Sequence, residues 1–318
     1  MSSDLTAPAS AAEAHAGAGG QPGPGPAVAS RPTRLDLLVL PALIFFIAFA
    51  FIPMIGVLLL SFTDWDGLSQ ISFSGFASWK QVFADPATYH ALWLTLALMI
   101  ITWLVQTPIS LLLGVFVAGH QRYRAALAVL YFLPLLLSSA AVAIAFKSLL
   151  DPNFGLAAGL HLPFLAQDWL GDPTLAFVTV VFVIAWQFIP FHTLIYQGGV
   201  RQIPGSMYEA AQIDGAGRIR QFFSITIPQL KYTIITSSTL MLVGSLTYFD
   251  LIFVLTGGGP GDATRILALD MYITGFKANQ MGAASVIALV LVVFGLGLTL
   301  GIQRLGGTDR GASQMEGM

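Results

Sequence analysis

The 318-residue sequence contains no cysteine, which excludes disulfides, thiolate metal sites and a cysteine nucleophile and leaves no redox argument about compartment. Charge is almost as scarce: Asp, Glu, Lys and Arg make up 9% of the chain, against roughly 25% in a soluble globular domain. The formal net charge is −2, so no strong basic field exists to recruit nucleic acid. The phosphate-cradling pattern G-x-x-x-x-G-K-[ST] is absent, so no such loop is present to grip ATP. His192 has no His, Cys or paired acid nearby in sequence, and no metal site is legible. What the chain has instead is apolar length: 56% of it is hydrophobic. An all-α polytopic membrane protein is expected, because helices and closed barrels alone satisfy their backbone in lipid.

Between Met1 and Ser30 stand 9 Ala, 5 Gly and 4 Pro, with Leu5 and Val28 the sizeable aliphatic residues. Such a segment buries too little apolar surface to offset its ordering entropy. It also lacks the basic start and apolar centre of a secretory signal. Residues 1–34 therefore read as a disordered cytoplasmic extension, 35–305 as the membrane domain and 306–318 as a short cytoplasmic tail.

Six apolar runs punctuate the membrane domain. Leu37 to Leu60 is a charge-free stretch of 24 residues, roughly 36 Å of helix at the usual rise. Arg31 and Arg34 precede it, and Asp64, Trp65 and Asp66 follow. The next runs are Ala91 to Ala118, Ala125 to Phe146, Thr174 to Tyr196, Thr233 to Leu255 and Ala283 to Ile302. A short interfacial helix is expected around Trp79 to Phe83. Threading the runs alternately across a bilayer puts 10 of the 14 basic residues on one side, among them His120's neighbours Arg122 and Arg124. Basic residues concentrate inside, so six spans with both termini cytoplasmic are expected.

That topology leaves one long polar stretch, Arg201 to Leu230, on the cytoplasmic face between the fourth and fifth spans. Pro204 suits a helix start, because a first-turn residue needs no intrahelical N–H partner. Asp214, Gly215, Ala216 and Gly217 then supply residues that tolerate left-handed backbone and reverse a chain. Arg218 to Ile225 reads as a second short helix, and Pro228 leads into the next span. A helix-turn-helix lying at the membrane face is expected, either as a docking element or as an amphipathic connector.

Tyr208-Glu209-Ala210-Ala211, Asp214-Gly215-Ala216, Phe222 or Phe223, Ile227 and Pro228 resemble the EAA loop of ABC importer permeases, in the form found in sugar permeases of the maltose type. A second stretch, from Phe249-Asp250 through Thr256 to Gly258-Gly259-Pro260, resembles the F-D-x-I-x-x-L-T-x-G-G-P segment of the same family. The two motifs together cover Gln187 to about Ala284. The resemblance implies six transmembrane helices with a cytoplasmic coupling loop, translocating a mono- or oligosaccharide across the bacterial inner membrane. In that family the loop docks on an ATPase subunit, so Tyr208, Glu209, Ala210, Ala211, Asp214, Gly215 and Ala216 would form the coupling surface, with Glu209 facing a basic residue of the ATPase. ATP and Mg would be bound by that partner, leaving this chain without a cofactor or enzymatic activity of its own. The other implied partners are a second permease subunit in a heterodimer, a second ATPase copy, a solute-binding protein and membrane lipid.

For the substrate path, polar and aromatic side chains within spans are the candidates, because an unpaired polar group in hydrocarbon is costly. Gln187 and Phe191 lie one helical turn apart, and Gly244 and Ser245 each lie about one turn from Tyr248. With Trp186 they supply the amide, hydroxyl and ring types that a sugar requires. The competing reading is that Ser237, Ser238, Ser245 and Thr247 bond neighbouring helices. Asp250, Thr256, Gly258, Gly259 and Pro260 would shape the outer gate. Asp250 is open to a proton-relay reading, but it lacks a second intramembrane carboxylate or Lys to relay to, which favours a structural hydrogen-bonding role. No Arg or Lys cluster stands within the spans to hold a phosphate, which favours a neutral sugar over glycerol phosphate; a polyol stays open. An ion-coupled carrier would show related halves and a buried acid cluster, and neither is visible. A membrane enzyme would need His192, Asp250 and Glu209 together, and their positions put them at different depths.

Overall fold

The computed structural model describes residues 39–119, 122–160 and 166–305. The expected extension at 1–34, His120 and the tail at 306–318 lie outside them. The chain divides into two units, Met1–Ile52 and Pro53–Met318. In the first, helix Leu40–Phe46 opens with a proline in its first turn and passes into a π turn at Ile47–Phe51. Phe45, Phe46 and Phe49 are exposed, as lipid-facing side chains are.

The second unit is almost wholly helical. Two short strands, β1 (Thr63–Asp64) and β2 (Ser72–Phe73), pair antiparallel with Thr63 opposite Phe73. The turn between them is tied by Asp66, whose carboxylate accepts the N–H groups of Leu68 and Ser69. Those donors, Ser69 first, hold its pKa down to about 2. Helix α1 (Ala77–Ala84) follows, covering the interfacial helix expected around Trp79 to Phe83. Next come α2 (Pro86–Val117), α3 (Arg122–Leu136), α4 (Ser139–Leu149), α5 (Leu156–Leu160) and α6 (Pro173–Arg201). Both long helices, α2 and α6, begin with Asp-Pro. Asp85 accepts the Ala87 N–H and Asp172 the N–H groups of Thr174 and Leu175, while each proline occupies the position that needs no donor. They start several residues or one residue ahead of the apolar runs that announced them.

Four helices are long and apolar enough to cross a membrane, and up to six if two bent pairs each count as one span. The bends lie where apolar content alone shows none. Val129–Leu136 and Ser139–Leu149 are bent by 103° from one another at Ser138, whose backbone is extended and whose side chain caps α4 by accepting the Ala141 N–H. Lys231–Thr247 and Phe249–Leu255 are bent by 48° from one another across Tyr248, where the helix tightens to a 3₁₀ turn at Ser245–Thr247. We label these α9 (Lys231–Gly244) and α10 (Phe249–Leu255). They are followed by α11 (Leu267–Tyr272) and α12 (Met281–Leu305). Between α6 and α9 stand α7 (Gly205–Ile213) and α8 (Arg218–Gln221), the latter running on through a π turn at Phe222–Thr226 to Gln229. The second helix of the loop is thus longer than the Arg218 to Ile225 expected, since Pro228 sits in the first turn of its last segment, where it needs no donor.

The main core joins α2, α4, α6, α10 and α11 through Leu98, Val142, Ile184, Leu251, Ile252 and Leu269. Polar pairs add specificity between helices. Trp103 Nε1 donates to Ser238 Oγ at 2.9 Å, His192 Nδ1 meets Ser237 Oγ at 3.0 Å, and the Leu267 N–H donates to Thr95 Oγ1 at 2.8 Å. Ser237 and Ser238 therefore bond neighbouring helices, whereas Ser245 and Thr247 bond carbonyls of their own helix. The α2 and α6 helices approach closely at Gly114, where an added Cβ would lie 2.6 Å from Tyr196 Cβ. Gly114→Val is expected to cost about 1–3 kcal/mol by forcing the pair apart. A lowered thermal unfolding midpoint of the solubilised protein checks this, with Gly159→Val, where a Cβ meets nothing within 4 Å, as the control.

Candidate functional site: a membrane cavity and a paired-helix loop

The loop between α6 and α9 is built by a helix reversal. Helix α7 ends in a Schellman arrangement, with the Ala216 N–H on the Ala211 carbonyl at 2.8 Å and the Gly215 N–H on the Gln212 carbonyl at 3.0 Å. Gly215 has φ +74°, a conformation that costs glycine nothing and other residues more. Two side-chain bonds then clasp the helices together. Tyr208 Oη lies 2.9 Å from Thr226 Oγ1, and Gln221 Nε2 donates to the Ala216 carbonyl at 2.8 Å. Between the helices is a hollow of about 220 Å³ lined by Ala211, Asp214, Ala216, Arg220 and Gln221, among others. Glu209, Ala210, Asp214 and Gly215 are exposed. So are Ile213, Ile219 and Phe223, at 87%, 77% and 62%. The loop thus offers apolar side chains beside charges of both signs, the mixture found at protein interfaces. Tyr208 turns inward to the clasp, while Glu209 is free to meet something else.

A cavity of about 410 Å³ opens between α6, α9 and α10. Phe191, Gly244 and Tyr248 line it, as do Phe188, His192, Ser139, Thr247 and Asp250. The Phe188 and Tyr248 rings lie 5.2 Å apart, tilted by 31°, and present an aromatic wall. Asp250 is exposed and stands in that wall; no hydrogen bond holds it among the described residues. Among the described residues no Lys or Arg lines the cavity. Of the six residues singled out for the path, three do not reach it. Trp186 lines a separate apolar hollow with Tyr131 and Pro190, Ser245 is buried and bonds the Leu242 carbonyl at 2.7 Å, and Gln187 is buried against the break between α3 and α4. Phe188 and His192 were legible as the neighbours of Gln187 and Phe191 one turn along, but two adjacent faces of α6 are both lined with large apolar residues, and spacing does not choose between them.

At the other end of α10, glycines 257, 258 and 261 have φ of +64°, +96° and +56°. The turn they make is pinned by Thr256 Oγ1 against Thr264 Oγ1 at 2.7 Å, and by Thr264 Oγ1 donating to the Gly259 carbonyl at 3.0 Å. Arg265 then closes on Asp270, with Nη2 at 2.6 Å and Nε at 2.9 Å from Oδ1. The Asp270 side chain is 3% exposed. Burial pushes its carboxyl above the ordinary value, and Arg265 opposes that rise. This ion pair was not visible in the sequence.

Helices apolar and long enough to cross a membrane, a cavity walled by such helices and an exposed helix pair in the loop between two of them are the features of a membrane transport component. Residues 106–305 match the family described as "Binding-protein-dependent transport system inner membrane component", and the chain belongs to that family. It is 33% identical over 271 residues to the probable ABC transporter permease protein YurN of Bacillus subtilis, covering 83% of this chain and 92% of that one. It is 35% identical over 259 residues to the multiple sugar-binding transport system permease protein MsmF of Streptococcus mutans, covering 79% and 87%. A chain of a bacterial alginate ABC transporter, solved in complex with an alginate pentasaccharide-bound periplasmic protein, superposes with a TM-score of 0.75 at 23% identity over 86% of this chain and 93% of that one. That likeness is one of fold.

Proposed function

We propose that this chain is one of two membrane subunits of an ABC importer that carries a neutral sugar or oligosaccharide into the cytoplasm, across six spans with both termini cytoplasmic. The observation that carries the substrate reading is the cavity: an aromatic wall of Phe188, Phe191 and Tyr248, hydroxyls at Ser139 and Thr247, a carboxylate at Asp250 and, among the described residues, no Lys or Arg. Aromatic rings cover the apolar faces of a pyranose, and carboxylates and hydroxyls bond its hydroxyl groups. A phosphate or uronate would meet Asp250 with no compensating charge. The sugar class named for the relative MsmF supports the same reading. Energy comes from a partner ATPase seated on the paired helices, where Glu209 faces outward, and substrate arrives from a solute-binding protein. A second, different permease completes the membrane pair. Thr256, Gly258, Gly259 and Pro260 shape the outer mouth.

The complex purified from native membranes and reconstituted in liposomes tests this. Uptake of a labelled neutral oligosaccharide should require ATP inside the acting compartment and persist with a protonophore present. Uptake driven by an ion gradient without ATP would overturn the importer reading in favour of a carrier. Tyr248→Ala should weaken apparent substrate affinity roughly tenfold, about 1.4 kcal/mol, the order expected for one aromatic contact, while the subunits still assemble. Loss of assembly instead would show that Tyr248, which also packs in the main core, serves as packing.

A further inference from the structure

The bend of 103° between α3 and α4 lies within an otherwise apolar span and leaves backbone groups that lipid cannot satisfy. Ser138 Oγ takes the Ala141 N–H at 3.2 Å, so that donor does not close a turn onto the carbonyl of Leu137. A side chain from another helix fills the gap: Gln187 Nε2 on α6 donates to the Leu137 carbonyl at 3.2 Å and to Ser139 Oγ at 3.3 Å. Gln187 is 3% exposed, and its Oε1 is buried with no partner among the described residues. Leaving that acceptor unmet carries an uncompensated desolvation penalty. Such an arrangement is a latch that is only partly satisfied, and one in which a second state of the span has something to gain. Leu135 and Ser139, on either side of the break, both line the cavity.

Gln187 also sits on α6, the helix that enters the paired-helix loop. Helix α6 ends at Arg201, about 21 Å along the axis from Gln187 at 1.5 Å per residue. Pro190, three residues on, removes an intrahelical donor, so any swing of the inner half of α6 is taken up beside the latch. Resting on the importer reading above, we propose that Gln187 is a positioning residue, not a substrate ligand: it holds the α3–α4 break bent in one state of the transport cycle and releases it when the loop moves, so that the cavity wall responds to ATP hydrolysis.

The absence of cysteine makes the test direct. Leu130→Cys and Leu149→Cys, both exposed, flank the break and accept spin labels in the purified complex. Their backbone separation is about 28 Å for a straight helix and about 17 Å at the observed bend, at 1.5 Å per residue. The expected result is a distance that differs between the resting and the vanadate-trapped complex, and a Gln187→Leu variant in which that difference collapses. In that variant uptake per ATP hydrolysed should fall at least tenfold while assembly and ATP hydrolysis continue. A purely structural glutamine would lower the yield of complex and leave uptake per ATP unchanged. Should Gln187→Leu fail to assemble, Ser138→Ala, which returns the Ala141 N–H to the Leu137 carbonyl, should lengthen the resting distance. Equal distances in the resting and the vanadate-trapped complex, or unchanged uptake per ATP in Gln187→Leu, would overturn the proposal. Failure of the importer reading looks different, because no ATPase would co-purify and vanadate would have no target.

Discussion

Glu209→Lys is expected to leave the protein inserted in the membrane and folded, and to reduce uptake to background. The side chain is exposed on a helix whose fold depends on other groups, the Tyr208–Thr226 and Gln221–Ala216 clasps and the Gly215 turn. Nothing internal is lost by reversing its charge. At a docked interface the loss is large, because like charges brought together and a partner's cation left unpaired cost about 2–5 kcal/mol, or roughly 30- to 5,000-fold in affinity. The measurement is a paired one: the amount of ATPase subunit retained on the purified permease, and uptake in the same cells. Glu209→Gln should fall between, since it removes attraction without adding repulsion. Normal uptake by Glu209→Lys would show that the loop does not transmit energy through this residue.

Arg265→Ala should be strongly destabilising. It strips the guanidinium from Asp270, whose side chain is 3% exposed, and leaves a carboxylate buried and unpaired. Removing one partner of a buried pair costs about 3–5 kcal/mol. The sign of the pH dependence follows from the same burial. A folded carboxyl whose pKa is raised binds its proton more readily than the unfolded chain does, so its contribution falls as pH rises through the folded value. Without Arg265 the desolvation acts unopposed and the rise is larger. The deficit of Arg265→Ala should therefore be smallest in acid and grow towards neutral pH. Adding Asp270→Asn should recover part of it at neutral pH, because no charge is then buried. Thermal unfolding of the solubilised protein across a pH series reads all three. A deficit independent of pH, or no recovery in the double variant, would place the damage elsewhere in the Thr256–Ile266 turn.

The apolar runs announced every candidate span, because lipid demands length and the absence of charge, and both are visible in one dimension. The paired-helix loop was equally legible, since a polar stretch with Asp214 and Gly215 between two runs has few ways to fold. Breaks within spans were not. Ser138 and Ser139 are too few to lower the apolarity of their run, yet the chain bends by 103° there, with Ser138 capping the helix that follows. The cavity was half legible for the same reason. Spacing put Phe191 beside Gln187 and Tyr248 beside Gly244, and three of these four line the cavity; which way Gln187 faces was decided by a carbonyl freed on another helix. Arg265 and Asp270 meet only because the glycines of the outer turn take positive φ, and no residue pattern carries that closure.

One purification tests the central claim most directly. The chain, tagged at its C-terminus, is isolated from gently solubilised membranes of its own host, and the co-purifying chains are identified by mass. An importer subunit predicts an ATPase chain and a second, different membrane permease at fixed stoichiometry, with ATP hydrolysis in the purified material. Recovery of the chain alone, or with itself only, and without ATP hydrolysis would leave the paired helices with no motor to dock and would contradict the proposed function.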